Sequence, residues 1–196
     1  YTGNGTAIGS GGLAVTGVGF QPDFTWIKNR EQLDDHILTD AVRGATKYIT
    51  SDATDAEVTN AESLTTWGAD GFTLGNHAAV NTSAEDYASW NWKAGTTTGL
   101  TGGSLTPTAY SINTTAKQGI YAYTGTGSVA TIAHGLGATP TAMFIKTLAV
   151  ENWAVYMKSA GNEKYTILNT YGSLQDGVAF WNDTSPTDTV FTIKDN

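Results

Sequence analysis

The chain has 196 residues, enough for one large or two small domains, with 10 basic against 18 acidic side chains and a net charge of −8. So acidic a surface is repelled by phosphate backbones, which argues against nucleic-acid binding. Cysteine is absent, which removes disulfide frameworks and thiolate metal sites, and no stretch approaches the roughly 18 apolar residues of a membrane helix, so membrane insertion is not expected.

The 33 Thr, 23 Gly, 6 Trp and 9 Tyr favour strands joined by tight turns. Only 14% of residues are charged, which leaves few Glu and Lys for long amphipathic helices. Residues 1–19 alternate Gly, Thr and apolar positions and are expected to hold short strands and loops. Phe24-Thr25-Trp26-Ile27-Lys28 reads as a strand, with Pro22 at its mouth, where a missing N–H costs little. Glu31 to Val42 is the most helix-compatible stretch. Strand is preferred over Ile37-Leu38-Thr39, because its counterpart Trp153-Ala154-Val155-Tyr156 also reads as one. Lys47 to Thr50 follows as the next strand, matched by Lys164 to Leu168. Residues 51–63, with Asp52, Asp55, Glu57 and Glu62, read as an exposed loop. Asp70-Gly71 is placed as the hairpin turn between Thr65-Thr66-Trp67 and Phe72-Thr73-Leu74. Tyr87 to Trp92 alternates as a strand, and Gly95 to Pro107 reads as a joint. Ser111 to Asn113 and Gly119 to Tyr123 then open a second module.

That second module repeats the first. Tyr1-Thr2-Gly3-Asn4-Gly5 recurs as Tyr123-Thr124-Gly125-Thr126-Gly127. Gly17-Val18-Gly19 with Pro22, Trp26, Ile27 and Lys28 recurs as Gly135-Leu136-Gly137 with Pro140, Phe144, Ile145 and Lys146. A duplicated unit of this size predicts two structural modules. The expected organisation is a first β module over 1–95, a Thr/Gly-rich joint over 96–107 and a second β module over 108–196. The fold class is all-β: β-sandwich or jelly-roll-like modules, internally duplicated. The first copy lacks the strand that precedes Tyr123 in the second, and the second lacks the final strands of the first. The chain is therefore expected to be a fragment of a longer polypeptide, with an intact native mass above 20.6 kDa.

No motif anchors a catalytic centre. Gly3, Gly5 and Gly9 superficially resemble a dinucleotide loop, but Leu13-Ala14-Val15-Thr16-Gly17 does not open the helix that loop requires. His36, His77 and His134 form no metal pair, and His134, whose counterpart is Thr16, is read as structural. Asp34, Asp35, Asp40, Glu85 and Asp86 are the residues from which a hydrolase pair or calcium site would be built, yet they lack calcium-loop spacing. The reading is non-enzymatic, with no catalytic residue, cofactor or metal. Asp40 and Arg43 are read as a surface ion pair worth under about 1 kcal/mol. Trp26, Trp67 and Trp181 are assigned to the core. Trp90 and Trp92 share one face of their strand, which is core or a stacking platform, and core is preferred. If that face is a platform, Tyr87, Trp90 and Trp92 are the contact residues for a glycan or partner.

The succession from Phe20-Gln21-Pro22-Asp23-Phe24-Thr25-Trp26-Ile27-Lys28, through Thr39-Asp40-Ala41-Val42-Arg43-Gly44, Asp70 to Gly75 and Tyr87-Ala88-Ser89-Trp90, resembles a family of undefined function. That family recurs in virion proteins of tailed phages, many of them marine, and is described as tail-fibre and concanavalin- or laminin-G-like. The resemblance implies a scaffold without catalytic residues and a virion location. In that context other virion proteins are the expected partners, the repetition adds further copies of the chain, and the aromatic face of Tyr87, Trp90 and Trp92 adds host-surface glycan. A free lectin-like carbohydrate-binding module is the alternative.

Overall fold

The alternation in Phe24–Asn29 becomes a strand that buries Thr25, Ile27 and Asn29 and turns Phe24, Trp26 and Lys28 outward. The computed structural model describes residues 1–194. The chain divides into two units, Tyr1–Lys93 with Leu148–Glu151, and Ala94–Thr147 with Asn152–Asn196.

The first unit holds β1 (Leu13–Thr16), β2 (Phe24–Asn29), β3 (Ile37–Asp40), β4 (Lys47–Thr50), β5 (Val58–Thr59), β6 (Leu64–Gly68), β7 (Gly71–Leu74) and β8 (Tyr87–Trp92). One sheet runs β5-β4-β3-β2-β8 and the other β1-β7-β6, every pairing antiparallel. They share one core. Ile27, Ile37, Tyr48 and Tyr87 come from the first sheet, Leu64, Phe72 and Leu74 from the second, and Ala79 and Val80 from the short helix α1 (Ala78–Asn81). This is a sandwich. The stretch that remained ambiguous resolves to strand at Ile37–Asp40.

Two local expectations change. The loop over 51–63 contains β5, which pairs Val58 with Tyr48 and Thr59 with Lys47. The hairpin loop is Ala69-Asp70, since Gly68 faces Gly71 across the ladder. Asp70 closes that end of the sheet, accepting the N–H groups of Gly17 at 3.0 Å and Gly19 at 2.6 Å, which hold its carboxyl below the usual range.

The second unit holds β9 (Ala109–Asn113), β10 (Gln118–Ala122), β11 (Ala130–Ala133), β12 (Ala142–Ile145), β13 (Ala154–Met157), β14 (Lys164–Ile167), β15 (Gln175–Asp176), the short helix α2 (Val178–Trp181) and β16 (Val190–Ile193). Its sheets are β10-β9, β11-β16 and β12-β13-β14-β15. The repeat in sequence is thus a repeat in pairing: β12 to β15 follow the order of β2 to β5, and β11-β16 follows β1-β7. A ladder bond recurs as well, Ala41 N–H to Asp23 O at 2.8 Å and Lys158 N–H to Thr141 O at 2.9 Å. Matching His134 to Thr16 slips by one in the other sheet, where Val15 faces Phe72 but Ile132 faces Phe191. His134 is buried and takes the Leu136 N–H on Nδ1 at 3.1 Å, a structural role.

Candidate functional site

Strand β8 is the edge of its sheet and pairs with β2 along its whole length. Thr25 faces Asn91, Ile27 faces Ser89 and Asn29 faces Tyr87 on the inner side. On the outer side Phe24 faces Trp92, Trp26 faces Trp90 and Lys28 faces Ala88. The usual polarity of a sandwich strand is partly inverted here: Ile27 and Tyr87 stay in the core, but Thr25, Asn29, Ser89 and Asn91 also face inward while the rings of Phe24, Trp26, Trp90 and Trp92 face outward. Trp90 is 48% exposed and Trp92 37%. The core assignment of these two tryptophans is therefore corrected: alternation couples them, and the whole pair faces outward.

The outer rings support one another. Phe24 and Trp92 lie 5.2 Å apart with planes tilted by 54°, and Trp26 meets Trp90 edge-on at 6.3 Å. The Trp26 indole N–H donates to His36 Nδ1 at 2.8 Å, which fixes both rings behind the exposed pair. Trp26 is half-buried rather than core, while Trp153 and Trp181 are buried and Trp67 packs against the first core. Beside Trp90 and Trp92 runs an open groove of about 790 Å³, bordered also by Tyr1, Val15, Val18 and Phe20.

Tyr87 does not belong to this surface. It is 3% exposed, stacks on Tyr1 at 5.2 Å with planes 10° apart, and donates its hydroxyl to Ala78 O at 2.7 Å. An odd position on β8 points inward, so Tyr87 is core and is withdrawn as a contact residue. Phe24 and His36 take its place as supports. The register with β2 was the missing signal for both.

A model of the domain of unknown function DUF7483 matches residues 1–196. The chain belongs to this family. No curated protein and no solved structure matches it.

In this DUF7483 domain four of the five acidic candidates are bound into the scaffold. Asp40 pairs with Arg43, Asp86 takes the Thr2 hydroxyl at 2.8 Å, and Asp34 and Glu85 both accept from Asn29 Nδ2, at 2.8 and 2.6 Å. Among the described residues, no group of three or more His, Asp or Glu is arranged to hold a metal ion. Asp35 borders a depression of about 330 Å³ with Asp34, Asp55, Tyr48 and His77. Its carboxyl is pushed up, first by desolvation and then by Asp52, Asp55 and Asp34.

Desolvation pushes the His77 and His134 imidazoles below the ordinary histidine value. A depressed folded value gives stability that is present above the unfolded value of about 6.5 and is lost as pH falls below it. Asp35 has the opposite sign, gaining stability on acidification, but acts nearer the carboxylate range. The thermal midpoint is therefore expected to fall between about pH 7 and about pH 5.5. His77→Gln should flatten that slope, and a variant with an unchanged slope would dismiss the assignment.

Proposed function

We propose that this chain is a non-enzymatic β module of a phage virion, part of a tail fibre, appendage or capsid decoration, and that it contacts host-surface glycan through the outer β2–β8 face. The observation that carries the contact is the partly inverted polarity of that strand pair, which leaves Trp90 and Trp92 half-exposed on a backing of Phe24 and Trp26. Exposed large rings cost solvation free energy that a scaffold strand has no need to spend. Flat indole faces held rigid by neighbours suit stacking on sugar rings, with little entropy lost on binding. The virion context is supported by the sequence resemblance and by the duplicated modules, which suit repetitive packing with other virion proteins or further copies. The non-enzymatic reading is supported by the structural commitments of Asp40, Glu85 and Asp86.

Titration of the purified chain with host-surface glycans, read by tryptophan fluorescence, tests the contact. A saturable change is expected, weakened about tenfold by either Trp90→Ala or Trp92→Ala, the loss of one good stacking contact. Silence across the glycans would end the lectin component. Antibody labelling of intact particles tests the location, and unlabelled particles would end the virion reading.

A further inference from the structure

The second unit carries an open sheet edge for which the first unit supplies the template. In the first unit β2 is covered on one side by β3 and on the other by β8. In the second, β12 pairs with β13, and among the described residues no strand pairs with its other side. The ladder parity shows which groups are left over. Arg30 N–H donates to Asp86 O, so the even-numbered residues of β2, Phe24, Trp26 and Lys28, turn their backbone groups to β8. Thr141 O accepts from Lys158 N–H, so odd positions of β12 serve β13, and Ala142 and Phe144 present theirs to the open side. Ala142 stands where Phe24 stands, and Phe144 where Trp26 stands.

This edge lacks the usual protection against strand addition. Residues 142–145, Ala-Met-Phe-Ile, include no charge and no proline, and the ladder to β13 runs without a bulge. Phe144 is 53% exposed on its outer side, and Met157, opposite Ala142, is also exposed. The equivalent ring in the first unit, Trp26, is half-covered because Trp90 packs against it.

We propose that the free edge of β12 is a strand-addition site, and that its occupant is a β8-type strand of another unit of this duplicated kind. The incoming strand runs antiparallel to β12, with its Trp90 equivalent opposite Phe144 and its Trp92 equivalent opposite Ala142. Backbone pairing holds it, and the outer aromatic side chains set its register. In the first unit that strand is already held by β2, so the donor is a β8-type strand with no β2 of its own to pair with. The inference concerns the second unit and stands apart from the glycan contact of the first, so either fails without the other.

The test uses the full chain and a peptide with the sequence of residues Asp86–Lys93. Saturable binding is expected, with amide exchange slowed at Ala142 and Phe144. N-methylation of the peptide at Ala88, Trp90 and Trp92 should weaken binding at least tenfold, whereas N-methylation at Ser89 and Asn91 should leave it intact. Ala142→Pro should also abolish binding, since it removes an N–H that faces away from β13 and spares the ladder. Overturning results are no saturable binding up to about 1 mM, the weak end of specific recognition, equal effects of the two methylation patterns, or protection confined to residues outside β12.

Discussion

Arg43→Ala is expected to cost about 3–5 kcal/mol, the range for removing one partner of a buried ion pair. The guanidinium lies in the turn after β3 and reaches three groups. Its Nε meets Asp40 Oδ2 at 2.6 Å, Nη1 meets Glu57 at 3.3 Å, and Nη2 donates to Leu38 O at 3.0 Å. The Arg43 and Asp40 side chains are only 8% and 5% exposed. Removing the cation leaves the Asp40 carboxylate out of water with a single backbone donor, the N–H of residue 43. For a unit of this size such a loss lowers the thermal midpoint by more than about 12 °C, readable by calorimetry. Arg43→Lys keeps the charge but not the planar fork and should fall between. Adding Asp40→Asn to Arg43→Ala should recover part of the loss, because the amide removes the stranded charge and still accepts the N–H. A cost under about 1 kcal/mol would return the pair to the surface class in which the sequence alone placed it.

That misplacement shows where sequence reading ends. The spacing of Asp40 and Arg43 names the contact, but its burial depends on Glu57 arriving from the segment before β5 and on the guanidinium folding back onto the Leu38 carbonyl of β3. The strands themselves were legible wherever one chemical alternation matched one pleat, as in Phe24–Asn29, and wherever a second copy repeated it. Alternation also tied Trp90 to Trp92. It did not tell inside from outside, because a sandwich edge whose inner face is Tyr87, Ser89 and Asn91 looks, by hydrophobicity, turned the wrong way round. A local rule broken in this manner is the signature expected of a working surface rather than of a scaffold strand. The groove beside it was not legible at all, being formed by β8 together with Tyr1, the end of β1 and the residues that follow it. Strand β5 was missed because two residues carry no period.

The second large effect is expected at Asn81, a position with no chemical motif around it. Its side chain is fully buried and ties the opening Tyr-Thr-Gly-Asn-Gly motif to the body of the first unit. The Oδ1 atom accepts the N–H of Asn4 at 2.7 Å and of Gly5 at 3.3 Å. The Nδ2 group donates to Gly75 O at 2.8 Å and Asn4 Oδ1 at 3.1 Å. Gly3 lies so close to the Thr82 carbonyl that any Cβ would collide with it, so the motif has one way to dock. Asn81→Ala strands at least one buried carbonyl and frees the motif that carries Tyr1, whose ring stacks on Tyr87. A cost of about 2–4 kcal/mol follows from the unsatisfied groups and lost bonds. Asn81→Asp should be at least as damaging at neutral pH, since it aims a carboxylate at the Gly75 and Asn4 oxygens. Denaturant unfolding measures the loss, and amide exchange at Asn4 and Gly5 should accelerate before global unfolding. In the second unit Thr126 stands in the place of Asn4, and its hydroxyl turns instead to Ser128 O at 3.3 Å. The repeated motif is therefore clamped by an amide in the first unit. If Asn81→Ala costs under about 1 kcal/mol with no local change in exchange, the clamp is not what holds the motif.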